Sequence, residues 1–261
     1  MEPNLLESEP LPGVAWLALN RPAQRNALDA TLVAALEAAL ARHDQRPATR
    51  VVVLAATGSA FCAGADLHAM LAVGRGPWQQ NLDDAHSLAR LLLALRHCTR
   101  PTLAVVQGAA FGGGVGLAAA CDIAIGSSEA RFRLPEVQLG LVPAVISPYV
   151  IEAIGPRQTR RYFLSGETIT AARARELGLL HEVVAPAELG EAAQGLARDL
   201  AQGAPGALGE CKQLIAEVAL RAPDAALAAA TAERLARLRA GAEAQEGIEA
   251  ALARRAPGWR L

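Results

Sequence analysis

Short runs of aliphatic and β-branched residues alternate along the chain with longer stretches in which leucine and alanine recur at helical spacing. Val14 to Leu19 is apolar and ends at Asn20-Arg21-Pro22, where proline cannot continue a ladder, so it predicts a strand. Asp29 then precedes Leu32, Leu36 and Leu40, one apolar residue per turn, which predicts a helix capped by the aspartate. Val51 to Ala55 predicts a buried strand. Gly74, Gly76 and Pro77 interrupt the pattern across residues 72–80, before an amphipathic helix from Asn81 to His97. Thr102 to Gln107 and Cys121 to Ile125 predict two further strands, separated by a glycine-rich turn and a short apolar helix ending near Ala120. Beyond Pro143 the spacing is mostly helical, with one strand at Leu180 to Val184 and helices over residues 187–201, 206–219, 223–239 and 242–253. The repeated order of strand, glycine-rich turn and helix predicts an α/β core over residues 1–200 whose loops gather on one side. Residues 201–261 then form a helical appendage, a lid or subunit-interface material.

Composition narrows the class of function. With 261 residues, 52% hydrophobic and 20% charged, the chain can bury a sizeable core and is not disordered. Lys plus Arg (25) nearly balances Asp plus Glu (26), which argues against a nucleic-acid or membrane-surface partner and for a small molecule or another protein. Aromatic residues are only 3%, so close backbone contacts and burial between subunits must supply what large side chains do not. Cys62, Cys98, Cys121 and Cys211 are widely spread without a C-x-x-C pair, and read as reduced thiols outside any disulfide framework or zinc site. Met1 to Pro12 is acidic and broken by prolines, with no targeting pattern, and no apolar run reaches membrane-spanning length, so a cytoplasmic, soluble protein is expected. No metal-ligand spacing, phosphate-binding P-loop or dinucleotide fingerprint is present, and no metal, ATP or NAD is predicted. Of the five histidines, His43, His86, His97 and His181 read as structural or solvated, and His68 alone follows a loop of interest.

That loop is Phe61-Cys62-Ala63-Gly64-Ala65-Asp66-Leu67, a turn of small residues after a strand and before a helix, where backbone N–H groups are left accessible. A second, Gly112-Gly113-Gly114, opens the short apolar helix, so its free N–H groups sit at the positive end of a helix dipole. Donors converging from two such loops would make an oxyanion hole. Taken alone, each is equally readable as a tight turn.

Together the loops resemble the crotonase superfamily, also called the enoyl-CoA hydratase/isomerase family. The resemblance runs from Leu19-Asn20-Arg21-Pro22 and Asn26-Ala27-Leu28 through Phe61 to Leu67, Gly108 to Leu117, Cys121-Asp122-Ile123 and Leu134-Pro135-Glu136 to Gly140-Leu141-Val142-Pro143. It continues at Arg173 to Leu180. It implies a spiral of ββα turns with a C-terminal helical region, assembled as a homotrimer or a dimer of trimers. It also implies an acyl-CoA thioester substrate, with coenzyme A part of the substrate and no separate cofactor. By the same resemblance the thioester oxygen lies between the N–H groups of Ala63 and Gly113. The nucleotide of coenzyme A lies against Arg25, Asn26, Ala27 and Leu28, with Ala65, Asp66 and Leu67 nearby, and Arg25 could pair with phosphate.

Glu136 stands where the family places a catalytic glutamate; a carboxyl beside an apolar acyl pocket binds its proton more tightly and can exchange it with carbon or water. The departure is Gly116, where the best-known hydratases carry a second glutamate. Either Glu136 handles both proton transfers, another group or the substrate supplies the second, or the reaction needs one base, as in double-bond isomerisation. Ala144-Val145-Ile146-Ser147-Pro148-Tyr149-Val150 also departs from the usual glycine-rich helix start. With Phe111 to Leu117 it resembles hydratases of branched glutaconyl-type CoA esters, whose own carboxylate could pair with a cation such as Arg75. The expected activity is therefore hydration of a 2-enoyl-CoA, with 3-enoyl-CoA isomerisation and a non-catalytic acyl-CoA-binding scaffold as the alternatives.

Overall fold

A computed structural model describes residues 3–260. Strand β1 (Leu5–Leu11) turns back through Gly13, in the left-handed region at φ 74°, into β2 (Val14–Leu19). The turn lets the two pair antiparallel. β1 escapes the hydrophobic pattern because it is an edge strand with only Leu5 buried, yet Leu5–Leu11 partners the first predicted strand. Helix α1 (Ala30–Gln45) begins where Asp29 accepts the N–H of Leu32, and buries Leu32, Leu36 and Leu40.

Three repeats then build the core. In the first, β3 (Val51–Ala56) is followed by β4 (Ala60–Cys62), α2 (Leu67–Gly74) and α3 (Trp78–His97); in the second, β5 (Thr102–Val106) by β6 (Ala109–Phe111) and α4 (Gly113–Ala120). In the third, β7 (Ile123–Ser127) leads to β8 (Arg131–Arg133), a 3-10 turn over Glu136–Leu139, and α5 (Ser147–Ser165), which kinks at Gly155. β7 starts two residues later than the pattern predicts. Asp122 is held in the preceding turn, where its carboxylate accepts the Thr102 N–H and hydroxyl and pairs with Lys212. The chain closes with β9 (Ile169–Thr170), α6 (Ala171–Leu177), β10 (Glu182–Val184), α7 (Leu189–Ala201), α8 (Pro205–Val218), α9 (Ala225–Arg239) and α10 (Ala242–Leu252).

The long strands, with the short β10 at one edge, form one sheet in the order β1-β2-β3-β5-β7-β10, parallel except for β1. It is covered on both faces, which is why its strands read as continuous apolar runs. Val52, Leu54, Ala104 and Val106 face α1, α3 and α4, whereas Val51, Val53, Leu103 and Val105 face Leu189, Ala193 and Ala197 of α7. The short strands form a second sheet, β4-β6-β8-β9, invisible to periodicity because two or three residues carry no period. Its function is positional: it aligns, side by side, the loops that follow β4, β6 and β8. Cys62, Cys98 and Cys121 are buried, and burial pushes each thiol up to about 12, so none is a nucleophile at neutral pH. Beyond α7 little is enclosed. α8 and α9 bury no residue and α10 buries only Ala250.

Candidate active site

The two glycine loops meet in space. β4 pairs with β6, so Gly64 lies against the backbone of the second loop. A Cβ on Gly64 would stand 3.0 Å from Phe111 O, and one on Gly112 would stand 4.0 Å from the Gly64 Cα. Gly64 (φ 93°) and Gly112 (φ 46°) both occupy backbone space that glycine alone enters freely. Close approach and handedness therefore each require glycine here.

Residues 25–28 are stitched to the first loop. Arg25 and Asn26 are both left-handed, at φ 51° and 56°, and this tight turn aims the Leu28 N–H at Gly64 O (2.7 Å) and its carbonyl at the Asp66 N–H (2.8 Å). The Ala63 N–H donates to Arg25 O at 2.9 Å. That bond corrects the expectation for Ala63: a donor already spent inside the loop is not available to a ligand. Two residues on, the N–H of Ala65 has no acceptor among the described residues. The same is true of Gly113, the first residue of α4, whose N–H lies among those a helix cannot satisfy internally. Ala65 and Gly113 thus each offer a free donor from the two adjoining loops.

Most of the other predicted binding residues have structural duties. The Asn26 side chain is fully buried; its Oδ1 accepts the Arg21 N–H (2.7 Å) and its Nδ2 donates to Thr57 O and Ala60 O (both 2.8 Å). This is a hub, closed to a nucleotide. Replacing Asn26 with Leu should lower unfolding free energy by about 2–3 kcal/mol in chemical denaturation, because buried polar groups lose partners. Asp66 caps α2, accepting the N–H groups of His68 and Ala69, which hold its carboxyl below the ordinary range with help from Arg21. Arg21, part of the Leu19-Asn20-Arg21-Pro22 motif, pairs with Asp29 (3.0 Å) and Asp66 (3.5 Å) and so ties the start of α1 to the start of α2. Ala27 and Leu28 are packed inward, and Leu28 Cδ1 would stand 3.0 Å from a Cβ on Gly113. Arg25 is exposed and, among the described residues, has no ion-pair partner, which leaves it free for phosphate. Leu67 and His68 are exposed beside the free donors, and so is Arg75 at the end of α2.

Glu136 arrives from the third repeat. Arg133 anchors its turn, donating to Gly166 O and Gln138 Oε1 (both 2.7 Å), while the Arg133 carbonyl accepts the Gly112 N–H at 2.9 Å. The carboxyl is delivered to the second loop: a Cβ on Gly112 would stand 2.8 Å from Glu136 Oε1. Glu136 Oε2 is buried and has no hydrogen-bond partner, and burial raises the carboxyl's pKa above the ordinary range. A carboxyl whose folded pKa is raised favours the fold while protonated, and that contribution is lost as pH rises through the raised value. Glu136→Gln should therefore raise the melting temperature above neutral pH, with the gain shrinking toward the ordinary carboxylate range in a thermal-melt series.

Free backbone donors on two adjoining loops, a partly dry carboxyl and the exposed Arg25 suit an anionic enolate on a phosphate-bearing carrier. The model of the enoyl-CoA hydratase/isomerase family matches residues 10–260. The chain belongs to that family. The crystal structure of an enoyl-CoA hydratase from Shewanella pealeana superimposes with a TM-score of 0.94 at 38% identity, covering 98% of this chain and 96% of that one. Hydroxycinnamoyl-CoA hydratase-lyase of Pseudomonas fluorescens is 38% identical over 197 residues, 74% of this chain and 71% of that protein. Mevalonyl-coenzyme A hydratase of Aspergillus fumigatus is 32% identical over 258 residues, 98% and 94% of the two chains. The mixed α/β architecture of this enoyl-CoA hydratase/isomerase family member is thus the family's own, and among the described residues no helix is long and apolar enough to cross a membrane.

Proposed function

We propose that this chain hydrates the double bond of a 2-enoyl-CoA. The observation that carries the reading is Glu136, its buried oxygen unpartnered, placed beside Gly112 at the junction of the two loops. The thioester oxygen sits between the N–H groups of Ala65 and Gly113, which take up the negative charge that develops there. Glu136 removes a proton from water as its oxygen adds to C3, and returns that proton to C2 of the resulting enolate. One carboxyl then serves both transfers. Arg25 pairs with phosphate of the coenzyme A portion, and no separate cofactor takes part.

Gly116 supplies no second carboxylate, and this favours a second reading, migration of a 3-enoyl double bond. There Glu136 takes the proton from C2 and delivers it to C4. A glutaconyl-type substrate would bring its own carboxylate, and exposed Arg75, without an ion pair among the described residues, is one candidate cation to meet it. Purified protein should be assayed on crotonyl-, 3-methylglutaconyl- and 3-enoyl-CoA, following water addition and double-bond migration separately. Water addition to either 2-enoyl ester supports the hydratase, and a roughly ten- to hundred-fold preference for the glutaconyl ester in kcat/KM would mark a charge-assisted contact. Migration without hydration replaces it with the isomerase. Binding without turnover leaves a scaffold.

The C-terminal helices support assembly as a homotrimer or dimer of trimers. Leu220, Leu235 and Leu252 stand exposed there, apolar side chains that a partner subunit would cover. Sedimentation giving a monomer at micromolar concentration would count against it.

A further inference from the structure

Gly116 has no room for a side chain. A Cβ there would stand 2.3 Å from Ile146 Cγ2 and 2.9 Å from Ile146 Cβ, with Leu92 Cδ1 at 3.7 Å. Gly112 lies one helical turn earlier, its carbonyl accepting the Gly116 N–H at 3.1 Å, and it has Glu136 Oε1 as its own nearest neighbour. Consecutive turns at the start of α4 therefore carry first Glu136 and then Ile146. The contact closes on itself, because the turn holding Glu136 packs on α5, which Ile146 caps. Ile146 is 3% exposed, and Glu136 Oε2 is buried without a partner.

We propose that Ile146 is a positioning residue for Glu136: seated on the bare Cα of Gly116, it closes the inner side of the carboxyl's compartment and keeps water from Oε2. The inference rests on the reading of Glu136 as the proton-transfer group. Gly116 is then explained by what it admits, a β-branched side chain lying directly on helix backbone. In Gly116→Glu the added carboxylate would therefore displace Ile146 before it could hold a water.

No charge competes for control of Glu136. α4 contains no ionisable residue. Arg133 of β8 is turned toward Gly166 and Gln138. On α5, Tyr149 follows Ile146 by three residues, Glu152 pairs with Arg96, Arg161 pairs with Glu167, and Arg157 and Arg160 lie beyond the Gly155 kink. On α2, His68 and Arg75 are exposed. Burial is what raises the Glu136 pKa, with only its own backbone N–H opposing.

The test is a titration of the ligand-free protein, following side-chain carboxyl NMR signals, with the Glu136 signal identified by its loss in Glu136→Gln. Ile146→Thr keeps the β-branched shape but brings a hydroxyl and water, and should lower the Glu136 pKa by about half a unit or more. Gly116→Ala, which must push Ile146 aside, should lower it in the same direction. Ile146→Val retains both branches at Cβ and should restore the parent value, and Leu92→Ala should lose stability without moving it. Where Ile146→Thr does not fold, Gly116→Ala and Ile146→Ala give the same comparison. A Glu136 pKa within about 0.2 unit of the parent in folded Ile146→Thr or Ile146→Ala and in Gly116→Ala overturns the proposal. The pH profile of kcat/KM on whichever ester is turned over should shift its limb equally. Absence of turnover on all esters, with the titration as expected, would defeat the functional reading alone.

Discussion

Glu136→Gln is expected to reduce turnover by about 100- to 10,000-fold while acyl-CoA binding changes by less than about tenfold. The amide keeps the shape of the group that meets Gly112, but it can neither accept a proton from water nor return one to carbon. Binding survives because the donors at Ala65 and Gly113 and the exposed Arg25 lie on other loops. The same change should stabilise the fold above neutral pH, since the parent carboxyl is costly to ionise where it sits. Lost activity with gained stability separates a proton-transfer role from damage to the fold. Retained turnover on the identified substrate would remove Glu136 from the mechanism.

Gly113→Pro is expected to lower kcat by about 100- to 1,000-fold, the loss of one donor aimed at the developing oxyanion, with a smaller effect on coenzyme A affinity. Gly113 is the first residue of α4, where proline costs a helix least, so the substitution removes an N–H the fold does not use. The new Cβ would meet only the end of the Leu28 side chain, at 3.0 Å. Ala65→Pro should behave in the same way. Ala63→Pro should instead lower stability, because the Ala63 N–H holds Arg25 O. Near-normal kcat in folded Gly113→Pro would break the two-donor account, and loss of kcat in a stable Ala63→Pro would return the first donor to Ala63.

The gap between Ala63 and Ala65 shows what a residue pattern can carry. That a small-residue loop after a strand would expose N–H groups follows from residue type. Which N–H is free depends on Arg25 and Asn26 turning left-handed some 40 residues earlier, as the bond from Ala63 to Arg25 makes plain. Asn26 illustrates the same limit. A polar residue in a motif reads as a ligand contact until the fold surrounds it with the carbonyls of Thr57 and Ala60.

Local chemistry by itself determined the long strands, the Asp29 cap, the main helices and the glycine loops, because each depends on period, capping or backbone freedom within a few residues, whereas Glu136 was legible only through the resemblance of the combined motifs to a family. Only the tertiary structure decided the short sheet that aligns the loops, the pairing of edge strand β1, the choice of Ala65 over Ala63 and the seat of Ile146 on Gly116. These are contacts between segments far apart in the chain, and their strength lies in distances of a few ångströms that spacing along a sequence does not encode.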